Sequence, residues 1–108
     1  MAAMKPKILA VVGSTHADSV TRVVVLAVGE ELRKAGCEVD LLDLSQEPLA
    51  LSSPETAYGE PGFAGVKARV EQADVFILGT PDYHGSMSGA LKNFLDHFWR
   101  EFAGKLFA

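Results

Sequence analysis

The chain has 108 residues, 48% of them hydrophobic and 22% charged, an ordinary composition for one globular domain that excludes disorder and fibrous repeats. Ten Lys and Arg against fourteen Asp and Glu give a net charge of −4, which excludes a basic footprint for a nucleic-acid backbone or an anionic membrane surface. No apolar run reaches the roughly 18 residues that span a bilayer, the start Met1 to Lys5 lacks a secretory core, and the single Cys37 can form no internal disulfide. The expectation is a cytoplasmic protein with no nucleic-acid or membrane partner.

Residues Lys7 to Val12 are a short apolar run with β-branched members closed by Gly13-Ser14, the pattern of a buried strand. Asp18 and Ser19 are good N-cap residues, so a helix is predicted from Val20 to Ala35, stopped by Gly36. On that helix Val20, Val24, Val28 and Ala35 share one face, with Leu26, Gly29 and Arg33 opposite. Glu38 to Leu44 alternates apolar and acidic residues and predicts a second strand. Ser45 to Gly62 holds three prolines and two glycines and reads as a long surface loop. Phe63, Val66, Val70 and Ala73 fall at helical spacing, and Val75 to Leu78 is a third apolar strand ending at Gly79-Thr80. Leu91, Phe94, Leu95, Phe98 and Phe102 form the stripe of a last helix that runs to Gly104, after which Lys105 to Ala108 begins a fourth strand. The order βαβαβα implies a parallel sheet with right-handed crossovers and helices on both faces.

In such a sheet ligands sit beyond the carboxyl ends of the strands, where strand order reverses. Two loops qualify. Gly13 to Arg22 is rich in hydroxyls (Ser14, Thr15, Ser19, Thr21) and leads into a helix N-terminus, whose unpaired N–H groups and dipole suit a phosphate. It is neither a Walker A loop, since no Gly-Lys-Ser/Thr follows, nor a dinucleotide fingerprint, since only Gly13 of the three required glycines is present. The bland alternative is that Ser19 only caps its helix. Thr80 to Gly89 joins the ring of Tyr83 to backbone donors near a helix start, a mix that suits a flat polar heterocycle. Its bland alternative is a turn with Pro81 and Asp82 as turn formers and Tyr83 as surface cover.

Gly13-Ser14-Thr15-His16-Ala17-Asp18-Ser19 resembles the GSxRxxS phosphate loop of the NAD(P)H-dependent FMN reductase family, flavodoxin-like proteins that include quinone, azo-dye and chromate reductases. Thr80-Pro81-Asp82-Tyr83-His84-Gly85-Ser86, with Gly89-Ala90-Leu91-Lys92-Asn93 and Asp96, resembles that family's TPEYNxSxxGxLKNxxD signature. The second match is long and specific, and with Ala73-Asp74 and Gly104-Lys105 the resemblance covers nearly the whole chain. It implies FMN as cofactor and NADPH or NADH as reductant, with a hydride passing to the flavin and then to free flavin, a quinone or a similar acceptor. Ser14, His16, Ser19, Val20 and Thr21 would surround the phosphate, and Pro81, Asp82, Tyr83, His84 and Gly85 would line the isoalloxazine. No catalytic side chain and no metal is implied, and a homodimer or homotetramer is.

Two positions depart from the family pattern. His16 stands for an arginine, exchanging a permanent bidentate phosphate donor for an imidazole, and the expectation is FMN affinity that weakens from about pH 6 to 8. His84 stands for an asparagine, which leaves only its backbone contact as an expectation. A flavodoxin-type electron carrier and an inactive fragment are the rival readings.

Other residues are set aside. Lys92 and Asp96 read as a solvated i, i+4 ion pair. Trp99 reads as core cover or a subunit interface at the stripe's edge, and His97 as exposed. Cys37 reads as a small buried residue. The full flavodoxin-like sheet, order 2-1-3-4-5, needs roughly 150 residues at about 30 per βα unit. Residues 1–108 therefore read as the N-terminal portion of one FMN-binding domain, with three βα units and the start of strand four, whose apolar edge would need cover.

Overall fold

The apolar run of Lys7–Val12 forms β1, and in the computed structural model, which describes residues 5–55 and 57–108, this strand carries a parallel neighbour on each side. Residues Met1 to Met4, where the secretory core was sought, and Thr56 of the long loop lie outside the described residues. β2 (Glu38–Asp43) pairs with β1 from Lys7↔Glu38 to Val12↔Asp43, and β3 (Val75–Gly79) pairs on the other side from Ile8↔Val75 to Val12↔Gly79. β4 (Leu106–Phe107) adds to β3, so the order is β2-β1-β3-β4 with every pair parallel. This is the flavodoxin-like arrangement, and strand order reverses between β1 and β3.

Alternation along β1 feeds two cores, because successive side chains of a strand point to opposite faces. Leu9 and Val11 join Leu42, Phe76 and the helices α2 (Phe63–Gln72) and α3 (Gly89–Asp96) on one face. Ala10 and Val12 meet Val25 of α1 (Val20–Lys34) on the other. Each fully buried Phe or Leu contributes about 1.5–3 kcal/mol of transfer free energy, so the α2–α3 side, which holds Phe63, Phe76, Phe94 and Phe98, carries most of the apolar stabilisation.

Five details differ from the sequence reading. The Val20, Val24, Val28 and Ala35 face of α1 is turned to solvent, with Val20 77% exposed, while Val25 and Gly29 are buried. A Cβ on Gly29 would lie 3.5 Å from Val39 Cγ1, an ordinary contact distance, so this buried glycine marks the side of α1 that faces β2. The last helix does not run to Gly104. It ends at Asp96, Trp99 leaves helical backbone at φ −138° and ψ −76°, and a single 3-10 turn (Arg100–Phe102) returns Phe102 to the core. The break preserves the aromatic stripe: Phe94, Phe98 and Phe102 still meet edge-on or tilted at centroid distances of 5.5–6.1 Å.

His97 is buried at 3% exposure, where solvent was expected. Its Nδ1 lies 2.7 Å from the Asn93 carbonyl and its ring packs on Phe63 and Phe98, which is possible because the helix stops there. Trp99 is 88% exposed and so is not core cover. Cys37 is half-buried rather than buried, whereas Lys92 and Asp96 pair in solvent as expected. Asn93 pins the long loop across α3: its Oδ1 accepts from Ser52 N at 2.7 Å and its Nδ2 donates to Ala50 O at 3.0 Å. Among the described residues no helix is long and apolar enough to cross a membrane.

Candidate functional site

The reversal between β1 and β3 puts the two loops singled out in the sequence side by side. Gly13 N donates to Gly79 O at 2.8 Å, continuing the β1–β3 ladder one residue past the strands. A Cβ on Gly13 would stand 2.5 Å from Gly79 O and 2.9 Å from Leu91 Cβ, so only glycine fits. Ser88 then closes the seam. Its Oγ donates to Gly13 O at 2.5 Å and accepts from Leu91 N at 3.1 Å, capping α3, while its own N–H donates to Thr80 Oγ1 at 2.9 Å. Gly13, Gly79 and Ser88 are not among the predicted site residues: Gly13 opens the phosphate-loop motif, Gly79 closes the third strand and Ser88 lies in the Thr80 to Gly89 loop, and only the paired strands bring the three together.

The first loop ends in a capped helix. Ser19 Oγ accepts from Arg22 N at 3.2 Å, and Ser14 Oγ accepts from His16 N at 3.3 Å. Both serines are buried, whereas His16 is exposed. Among the described residues the backbone N–H groups of Ala17, Asp18, Ser19, Val20 and Thr21 have no protein acceptor. The capping role of Ser19 is thus real and leaves those donors open, as a helix start does.

Arg22 organises the underside of this loop. Its Nη1 donates to the carbonyls of His16 and Ala17 at 2.9 and 2.8 Å, Nε donates to Asp43 Oδ2 at 2.7 Å, and Nη2 donates to Ser45 Oγ at 2.8 Å and more distantly to Asp43 Oδ1. Asp43 also accepts from Ser45 N and Oγ, at 2.9 and 2.7 Å. Burial alone would raise the Asp43 pKa, but hydrogen bonds from Arg22 and Ser45 outweigh it and hold the carboxyl below its ordinary 3.8. The hydrogen bond to Asp43 in turn raises Arg22.

The second loop is a tight hairpin. Tyr83 N donates to Ser86 O and Ser86 N to Tyr83 O, at 2.9 and 3.0 Å, around His84 at φ 55° and Gly85 at φ 75°. Left-handed backbone at both central residues is the type I′ turn that matches strand twist. The turn reading is therefore correct in kind, with His84 and Gly85 rather than Pro81 and Asp82 at its centre. Tyr83, His84 and Gly85 are exposed at its tip.

Of the predicted residues, Val20, Thr21 and Pro81 line one apolar groove of about 520 Å³ with Val24, Leu78 and Gly79. Pro81, Asp82 and Gly85 line an adjoining open concavity of about 280 Å³ with Thr80, Ser86 and Met87. Pro81 is common to both. Ser14 lies buried beneath the first loop, and His16, Tyr83 and His84 stand outside these two hollows. The site thus offers unpaired amides at a helix start beside an apolar groove and a rigid hairpin. A flat heterocycle linked to an anion matches that set.

Comparison with known proteins agrees with this chemistry. The family model described as NADPH-dependent FMN reductase matches residues 6–108. The FMN-dependent NADPH-azoreductase of Staphylococcus aureus is 34% identical over 94 residues, covering 82% of this chain and 50% of that protein. The chain spans about half the length of the curated relatives it matches. Among solved structures, an apo NADH:FMN oxidoreductase superposes with a TM-score of 0.75 at 23% identity, over 95% of this chain and 56% of that one. The NAD(P)H:(acceptor) oxidoreductase FerB of Paracoccus denitrificans also gives 0.75 at 23% identity, over 94% and 58%. At that identity the two structures speak for the fold.

Proposed function

Because this chain belongs to the NADPH-dependent FMN reductase family, we propose that it forms the FMN-holding part of an NAD(P)H-dependent oxidoreductase that reduces free flavin, a quinone or a similar small acceptor. The observation that carries this reading is the seam of Gly13, Gly79 and Ser88, which fixes the open amides of Ala17 to Thr21 beside the Thr80 to Met87 hairpin. In this reading those amides, with Ser14, His16, Ser19, Val20 and Thr21, hold the FMN phosphate. Pro81, Asp82, Tyr83, His84 and Gly85 support the ring. The residues present fit the group: the anion end meets unpaired donors and the ring end meets an apolar groove with a rigid backbone edge.

Bound flavin would supply the two-electron chemistry between nicotinamide and acceptor. The protein's own part is to orient the ring, to exclude water from one of its faces through Pro81 and the groove, and to present backbone donors at its edge. No side-chain acid, base or nucleophile is assigned. The reading extends to a cytoplasmic homodimer or homotetramer.

The test is NAD(P)H oxidation by FMN-loaded full-length protein with added quinone or flavin. Turnover above free FMN supports the reading. Reduction only through a separate reductase would favour an electron carrier, and a colourless protein that takes up no FMN would favour an inactive one.

A further inference from the structure

The Arg22 guanidinium has five N–H groups, and the structure finds an acceptor for each: the carbonyls of His16 and Ala17, both oxygens of Asp43 and the hydroxyl of Ser45. None is left to meet a ligand. Its charge is compensated by Asp43, and the two side chains are only 18% and 14% exposed. Arg22 therefore lies at the anion loop without being free to bind an anion.

What it does fix is the direction of the loop's peptides. In a trans peptide the carbonyl and the following N–H point opposite ways. Two carbonyls drawn onto Nη1 turn the N–H groups of Ala17 and Asp18 away from the guanidinium, and neither has a protein acceptor among the described residues. Asp43 and Ser45 sit at the end of β2, so the same fork ties the loop to the sheet edge.

We propose that Arg22 is a positioning residue for phosphate recognition: it aims the amides of Ala17 and Asp18 at the anion and makes no contact with it. The Asp43–Ser45 pair is the anchor on which this depends. The role rests on the FMN phosphate reading given above. It requires the fork rather than the charge, since a lysine ammonium is a point donor that cannot span two carbonyls, a carboxylate and a hydroxyl at once.

The test compares FMN with riboflavin, which lacks the phosphate, by flavin fluorescence titration of the full-length protein. The wild type is expected to prefer FMN. Arg22→Lys and Arg22→Met should both lose about tenfold of that preference, the scale of one charge-assisted hydrogen bond, with riboflavin affinity unchanged. Asp43→Asn, which changes no residue of the loop or of α1, should lose about two- to threefold and decides the matter if the Arg22 variants fail to fold. Arg22→Lys that keeps the wild-type preference while Arg22→Met loses it would make Arg22 a direct charge partner and overturn the proposal. An undiminished preference in Asp43→Asn would overturn it as well. A wild type that binds FMN and riboflavin equally would instead remove the phosphate reading itself, a failure visible before any variant is made.

Discussion

The Ser88 hydroxyl donates to the Gly13 carbonyl across a separation of 75 residues, and through this one contact the hairpin after β3 is locked to the loop after β1. Both groups are buried, so each depends on the other for its hydrogen bond.

Ser88→Ala should therefore remove the α3 cap and leave the Gly13 carbonyl unpaired. A lost cap costs about 1 kcal/mol and a stranded buried acceptor about 1–3 kcal/mol, so the variant should be destabilised by about 2 kcal/mol in urea unfolding. Ser88→Thr, which keeps the hydroxyl, should lose less. Equal losses in the two variants would show that the hydroxyl is unimportant.

Gly13→Ala should be worse than its single methyl suggests. The added Cβ meets a backbone oxygen, which cannot rotate away, and the Cβ of Leu91. Overpacking of this kind costs about 1–3 kcal/mol, and here relief requires β1 and β3 to part just where the loops meet. Circular dichroism melts and FMN titration should fall together, whereas Gly65→Ala, inside α2 with open space around its added Cβ, should leave FMN binding unchanged and raise the melt slightly.

His84 occupies left-handed backbone, which histidine tolerates better than most side chains and asparagine or glycine better still. His84→Asn should be neutral or stabilising by a few tenths of a kcal/mol, and His84→Val should cost about 1–2 kcal/mol through its branched Cβ. A thermal shift series reads both. A stable His84→Val would mean that the hairpin does not hold its type I′ form.

His16→Arg should tighten FMN relative to riboflavin by about tenfold, because a guanidinium offers a phosphate two parallel charge-assisted hydrogen bonds and an imidazole cannot. Isothermal titration with the two flavins checks it. An unchanged FMN preference would take position 16 out of the phosphate site.

Asp43 sets an acid limit. Its carboxyl is held below 3.8, so its contribution to stability is fully present above that pH and is lost as the pH falls through the lower native value. Unfolding midpoints followed from pH 6 to 2.5 should drop in that lowest range, and Asp43→Asn should show a smaller drop there from a lower starting stability. Parallel curves for the two proteins would remove Asp43 as the cause.

The strands and the first two helices were legible because their periodicities and caps are local: Ser19, Gly36 and the run Lys7–Val12 sit where the sequence places them. The site loops were legible from motif and topology together. What the sequence hid depends on three-dimensional fit. Helical periodicity on α1 selected the valines, but the helix packs through Gly29, a residue that hydrophobicity ignores. The stripe Phe94, Phe98, Phe102 is compatible with one helix or with a helix and a 3-10 turn, and nothing local announces the break at Trp99 that buries His97. Arg22 looked like any polar residue in a first turn; its five acceptor atoms come from four residues in two loops and a strand end.

The bond from Gly13 N to Gly79 O also governs how the protein acquires its site. The two loops share no local contact that could form early, and they meet only once β1 and β3 have paired across two intervening helices, a strand and a loop. Such non-local parallel pairing is intrinsically slow, since chain closure precedes the contacts that reward it. The ligand-holding geometry is therefore a late product of folding rather than a preformed local motif. A ligand there binds only the assembled sheet and must slow amide exchange throughout β1 and β3, far beyond the residues it touches.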